Sequence, residues 1–571
     1  MLDGNQMSEG YKYFRLGNIV PSPDQTLLAY SVDYDGDETY TARVKNLVTG
    51  EHYPDEIPNT YYSLEWANDN RTFFYTVLDE ALRPYKILRH TLGESENTLV
   101  YHETDERFAL ELSGTRTHGY ILIHAHSPLT SEVLYLDADN PRGAFLPLLK
   151  RTTGVEYDVA HWRGGDLDTF FVRLNDTARG FRVIRLASVT GVAKGNWTEI
   201  IPGRDGITIE SITAFRNFLV SEERHGGLVE VHIREFDSGK HHAVTFPEPA
   251  YSVDVGPNYE FASDQLRFVY TSLVTAPSHY DYDMSTCERV LVKQQPVLGG
   301  YDPSQYQCER FFVNARDGVQ IPVSLVYQKG FVRDGAAPML LYGYGSYGIS
   351  MDASFRSDRL SLLNRGFVYA IAHIRGGMDM GKPWHEEGRL LVKMHTFEDF
   401  VDCARHLVAN RYTSSDRLGI MGGSAGGLLM GAVSNLAPEL FRAVVAMVPF
   451  VDSLNTALDP TLPLTIGEYE EFGNPQDKVF YDYMKAYAPY ENVRNAEYPA
   501  ILATAGLNDP RVSYWEPAKW IAKLREHNTG PHPILLKTNM GSGHFGSSGR
   551  YDYIKETALH YAFLLRELAG R

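Results

Sequence analysis

From about Asn18 to Gln294, apolar and polar residues alternate in short runs, each closed by turn-forming residues. TLLAYSVDYD (26–35), RTFFYTVLDE (71–80), YILIHAHS (120–127) and LRFVYTSLV (266–274) show the two-residue period of a half-buried β-strand. Units of this texture start near Val20, Leu64, Phe108, Tyr157, Ile209 and Tyr251, between 42 and 52 residues apart. Each unit has room for about four strands, the size of a propeller blade. The spacing predicts a β-propeller of six recognisable blades, with a long β-sandwich array as the competing arrangement.

After QQPVLGGYDPSQYQ (294–307), rich in Pro, Gly and Gln, the period changes. FFVNARDGVQIPVSLVY (311–327) reads as a hairpin turning at Asp317-Gly318. MLLYGYG (339–345), FVYAIAHI (367–374), LGIMG (418–422), VVAMV (444–448), ILATA (501–505) and ILLKT (534–538) are apolar strands separated by helical stretches. Strands that are apolar throughout, alternating with helices, predict a mostly parallel sheet covered on both faces. The helix TFEDFVDCARHLVAN (396–410) is expected to start with Thr396 as N-cap and Asp399 as the capping-box acid. The division expected is a propeller over 1–300 and an α/β domain over 301–571.

Composition narrows the function. The 571 residues carry 54 Lys plus Arg against 72 Asp plus Glu, a net charge of −18. That balance lacks the positive field needed by a nucleic-acid or anionic-membrane partner. Three cysteines form no disulfide framework and no metal-ligand spacing, so a reducing compartment, the cytoplasm, is expected, with no metal or organic cofactor. The first residues, MLDGNQMSEGYKYFRLG, lack the basic-then-apolar pattern of a signal peptide and no 18-residue apolar run occurs, so neither secretion by a signal peptide nor membrane spanning is expected.

The candidate chemistry lies in the second half. Gly422-Gly423-Ser424-Ala425-Gly426 fits G-x-S-x-G, with the strand LGIMG running into it and GGLLMGAVSNLA running out as a helix. A strand–turn–helix of this kind exposes a strained serine as a nucleophile. The hydroxyl needs a base oriented by an acid, and Asp509 and His544 follow the strands ILATA and ILLKT in the chain order such folds use. Gly343-Tyr344-Gly345-Ser346-Tyr347-Gly348 also matches the dinucleotide fingerprint G-x-G-x-x-G, but the following strand ends in HIRGG, without the acidic residue that reading needs. A loop with Tyr344 and Tyr347 at a strand's C-terminal edge serves better as an oxyanion wall.

YGYGSYG, GGSAGGLLMG, VPFVDSLNTALDPTLPLTIGEYEEFGNP, GLNDPRVSYWEPAKW and GHFGSSGR together make the second half resemble the oligopeptidase B branch of the prolyl oligopeptidase family. The resemblance implies a propeller joined to an α/β-hydrolase and a serine oligopeptidase acting on short basic peptides after Arg or Lys. It implies Ser424, Asp509 and His544 as catalytic triad, and the Ala425 N–H with Tyr344 as oxyanion hole. It implies Glu468 and Glu470 as receivers of the basic side chain, Arg511 as a ligand of the substrate backbone, and Asp352, with Tyr347 on the neighbouring loop, as further substrate contacts. Ser354 stands where the family has a second acidic residue, which weakens the expectation of a preference for paired basic residues. The family's propeller has seven blades and a preceding N-terminal segment, so the sequence is expected either to start late or to have lost those elements. A related hydrolase of different specificity, such as an acylaminoacyl peptidase or esterase, and an inactive peptide-binding remnant are the alternatives.

Overall fold

In the computed structural model, residues 1–165, 167–189, 197–549 and 551–569 are described. The first half forms six antiparallel four-stranded units. The innermost strands start at Arg15, in the second half of the long strand His52–Trp66, and at Ala109, Tyr157, Ile207 and Tyr251. These are the positions at which the sequence pattern restarts. The strand His52–Trp66 pairs with Tyr40–Asn46 up to Thr60 and with Thr72–Leu78 from there on, so it closes the first blade and opens the second.

Adjacent residues of one strand face opposite sides of a sheet, and the propeller uses this to fill both seams of each blade. Phe73 packs in the seam with the first blade and Phe74 in the seam with the third. Phe170 faces the third blade and Phe171 the fifth. Leu219 faces the fourth and Val220 the sixth. Among the described residues, no hydrophobic cluster joins the sixth blade to the first, and the last strand, Arg289–Gln294, is exposed at every position.

The second half is built on an eight-stranded sheet. The hairpin strands Tyr306–Asn314 and Gln320–Gln328 are antiparallel, and the second pairs antiparallel with Val368–Ala372. From there the order runs in parallel through Met339–Tyr342, Leu418–Gly423, Ala443–Met447, Ala500–Gly506 and Ile534–Asn539. Cores on both faces explain the unbroken apolar runs: Leu341 and Val444 belong to one, Leu340 and Val445 to the other.

One helix departs from the sequence expectation. It spans Met394–Ala409, and Thr396 lies inside it. The Thr396 hydroxyl donates to the Arg375 carbonyl, and Asp399 accepts from the Arg375 guanidinium, so tertiary partners claim both intended capping groups.

The propeller sits over the C-terminal edge of the sheet, where parallel α/β folds place their ligands. Ion pairs Glu156–Lys382, Arg224–Asp352 and Glu38–Arg511 cross between the two halves.

Candidate active site

Ser424 stands between the strand Leu418–Gly423 and the helix Ala425–Leu436 with φ 58° and ψ −119°. A non-glycine residue here stores about 1–3 kcal/mol of strain, which the surroundings must impose. They do so through both peptide groups: the Ser424 N–H donates to the Met447 carbonyl at 2.9 Å, and its carbonyl accepts from Gly427 and Phe450. The turn also requires missing side chains. A Cβ at Gly422 would lie 2.4 Å from the Gly426 carbonyl oxygen, and one at Gly427 would lie 2.4 Å from Pro449 Cα. Ala425 begins the helix, so its N–H belongs to the donors that a helix leaves without an internal acceptor.

Asp509 and His544 come together. The ring Nδ1 of His544 lies 2.8 Å from Asp509 Oδ2, and Asp509 Oδ1 accepts from the N–H groups of Arg511 and Val512. The carboxylate is fully buried and both of its oxygens are hydrogen-bonded, so its orientation is fixed. Among the described residues, no hydrogen bond joins the His544 ring to Ser424. The His544 loop rests on the propeller instead: Phe14 N–H donates to Ser548, Arg15 stacks over Phe545, and Gly543 meets Gly36 closely enough that a Cβ on Gly543 would lie 2.0 Å from the Gly36 carbonyl oxygen.

Tyr344 is on the Ser424 side of the site. Burial holds its phenol well above the usual tyrosine range, while a hydrogen bond with the Ser424 side chain pulls the other way. The phenol therefore stays protonated and able to donate. No helix follows this glycine-rich loop until Leu360, so the loop lacks the helix N-terminus on which a dinucleotide pyrophosphate would rest.

The helix Thr465–Phe472 separates the two glutamates that the sequence pairs. Glu468 accepts from the Tyr347 hydroxyl at 2.8 Å, whereas Glu470 accepts from Ser127 of the propeller and lies 3.8 Å from Arg107. Residues two apart on a helix point in opposed directions, and these carboxylates do not share a partner. Burial pushes the Glu468 carboxyl up to about 7, with Glu471 adding to the shift and Tyr347 opposing it. A cleft of about 810 Å³ lies beside this helix, walled by Tyr62, Leu82 and Phe108 of the propeller and by Leu464 and Ile466.

Two further candidates are already engaged. The Arg511 guanidinium forms two 2.7 Å bonds to Glu38 and is not free to hold a substrate carbonyl in this arrangement. Asp352 accepts a bidentate contact from Arg224, a nearly inaccessible propeller residue that Glu210 also binds. Asp352 and Ser354 border a separate cavity of about 420 Å³ with Arg356, Asp358 and Tyr561, and neither Tyr344 nor Ser424 lines it. The sequence reading missed Glu471, Lys393 and His385, which form a buried cluster under the tyrosine loop. Their pairing joins segments too far apart for any local pattern to show it.

The comparisons with known proteins agree with this architecture. Residues 1–295 match the model of the prolyl oligopeptidase N-terminal beta-propeller domain, and residues 353–571 match that of the prolyl oligopeptidase family. The propeller match starts at the first residue and lends no support to the expected N-terminal loss. The chain is 44% identical to dipeptidyl aminopeptidase BI of Pseudoxanthomonas mexicana, over all of this chain and 78% of that protein. It is 38% identical to protease 2 of Moraxella lacunata, over all of this chain and 82% of that one. Oligopeptidase B from Leishmania major superposes with a TM-score of 0.95 at 36% identity, covering all of this chain and 81% of that structure. Oligopeptidase B from Trypanosoma brucei with covalently bound antipain gives 0.94 at 38%, again over all of this chain and 81% of the other. With both domain types matched, and likeness to these enzymes over the whole of this chain, the chain belongs to the prolyl oligopeptidase family of serine peptidases.

Proposed function

We propose that this chain is an oligopeptidase that hydrolyses short peptides on the carboxyl side of Arg or Lys. The observation that carries the reading is Ser424, held at φ 58° on a strand-to-helix turn. Its hydroxyl attacks the scissile carbonyl while His544 Nε2 takes the proton. Asp509, bonded to Nδ1, fixes the ring tautomer and stabilises the imidazolium. The Ala425 N–H and the Tyr344 hydroxyl donate to the developing oxyanion. The imidazolium then protonates the leaving amine, and water attacks the acyl-enzyme by the same route in reverse. For this the His544 loop moves until Nε2 meets Ser424, a tightening that free enzymes often complete only with substrate bound.

Specificity for a basic residue rests on Glu468 and, less directly, Glu470. A buried carboxyl held near 7 gains a full charge when a guanidinium arrives, because the cation offsets the burial that suppressed ionisation. Glu470 has the propeller's Arg107 nearby, so that substrate binding there involves an exchange of cations. Arg511, Tyr347 and Asp352 are assigned supporting substrate contacts only after domain movement has released their present partners. The gap between the last blade strand, ending at Gln294, and the first sheet strand, starting at Tyr306, supports a division at about residue 300. Three unpaired cysteines support a cytoplasmic site of action. No helix among the described residues is long and apolar enough to cross a membrane.

The likeness to a protein named dipeptidyl aminopeptidase favours a second reading, removal of dipeptides from a free N-terminus. Hydrolysis rates on matched Arg, Lys, Pro and Ala amides, each with a blocked and a free amine two residues before the cut, separate the readings. Cleavage after Arg and Lys in blocked peptides is expected. Equal rates on all four residues would overturn the basic specificity, and a strict need for the free amine would replace the endopeptidase reading.

A further inference from the structure

The glycine-rich loop carrying Tyr344 is fastened from below by residues outside the triad. Lys393, wholly buried, donates from Nζ to the Gly345 carbonyl at 2.6 Å and to Ser346 Oγ at 2.7 Å. Glu471, also wholly buried, accepts from the Tyr347 N–H at 3.0 Å and from His385 Nε2 at 2.7 Å, and lies 3.5 Å from the Lys393 ammonium. Three successive residues after Tyr344 are thus held by one ion pair. The backbone there does not settle into this shape unaided: Tyr347, a non-glycine residue, is held at φ 59°. The Gly345 carbonyl is also walled in, since a Cβ on Gly376 would lie 2.1 Å from its oxygen.

Resting on the proposed role of Tyr344 as an oxyanion donor, we infer that Lys393, with Glu471 as its counter-ion, is a positioning residue that holds the Tyr344 hydroxyl over Ser424. A buried ion pair is a costly way to stabilise a fold, and apolar residues of similar size often do it better. A geometric task is what such a pair can supply: one bonded carbonyl and one bonded hydroxyl in the two residues directly after Tyr344. An oxyanion donor must be in place before charge develops, and displacement by about 1 Å costs on the order of 100-fold in rate. Burial lowers the Lys393 ammonium to about 8, with Glu471 opposing the shift, and burial likewise works against the Glu471 charge while His385 and Lys393 hold that carboxyl below its ordinary value.

A double-mutant cycle on the whole enzyme tests this with an arginyl amide substrate. Tyr344→Phe is expected to lower kcat about 100-fold with KM little changed. Lys393→Met is expected to lower kcat at least about 10-fold when Tyr344 is present and less than about 2-fold when combined with Tyr344→Phe, because the group being positioned is already gone. Lys393→Met paired with Glu471→Gln removes the orphaned carboxylate charge, and Ser346→Ala deletes one bond without touching the ion pair. Both follow the same pattern, with smaller losses for Ser346→Ala. Equal factors with and without Tyr344→Phe, or an unchanged kcat for the paired variant, overturn the positioning role. An unchanged kcat for Tyr344→Phe alone instead removes the oxyanion assignment, and the inference falls with it.

Discussion

Glu468→Gln isolates a single buried carboxyl whose charge the fold disfavours. The wild-type group has its pKa raised from 4.5 to about 7, burial being the main cause. Below about pH 4.5 the carboxyl is neutral in both folded and unfolded chains, and the folded state bears no penalty. As pH rises, the unfolded chain releases its proton first, so stability falls, and the loss is complete once pH has passed about 7. The shift of about 2.5 units corresponds to roughly 3 kcal/mol, of which about 2–3 kcal/mol falls between pH 5 and pH 8. Gln keeps the shape, and its amide oxygen still accepts from the Tyr347 hydroxyl, but it does not titrate. Urea unfolding of both proteins, followed by tryptophan fluorescence at several pH values, is therefore expected to show the variant gaining on wild type as pH rises. Other titrating groups cancel in the difference. A difference that stays flat from pH 5 to pH 8 would refute the reasoning.

Two other perturbations probe the framework. Gly427→Ala sets a methyl 2.4 Å from Pro449 Cα, and a loss of about 1–3 kcal/mol in unfolding free energy is expected; an unchanged melting temperature would contradict the tight strand–helix contact. Glu38→Gln removes the charge that two Arg511 bonds share across the domains. Because Arg511 is 30% exposed, the expected loss is only about 1 kcal/mol and shrinks at high salt, and a loss independent of salt would rule out an electrostatic origin.

The parts of the molecule that a local pattern encodes were legible in the sequence. Short apolar runs closed by turns marked a strand of each blade, but Thr72–Leu78 is buried on both faces rather than one, because consecutive residues such as Phe73 and Phe74 fill opposite seams. Gly422, Gly426 and Gly427 around Ser424 announced a turn that admits no side chains. What the sequence hid was the choice of partner. Nothing near Arg511 says that Glu38, 473 positions earlier, will occupy its guanidinium. Glu468 and Glu470 look paired in a string of letters, but helical geometry turns one toward Tyr347 and the other toward the propeller. Thr396 and Asp399 have the spacing of a cap, and Arg375 captures both. The cluster of Lys393, Glu471 and His385 exists only after three separate segments have packed together.

The central claim is that Ser424 is an activated nucleophile served by His544 and Asp509. Reaction of the intact protein with a fluorophosphonate, read by mass spectrometry, tests it most directly. One adduct per chain is expected, located on the peptide containing Ser424 and lost in folded His544→Ala. No adduct on folded wild-type protein, or one equally fast without the imidazole, would contradict it.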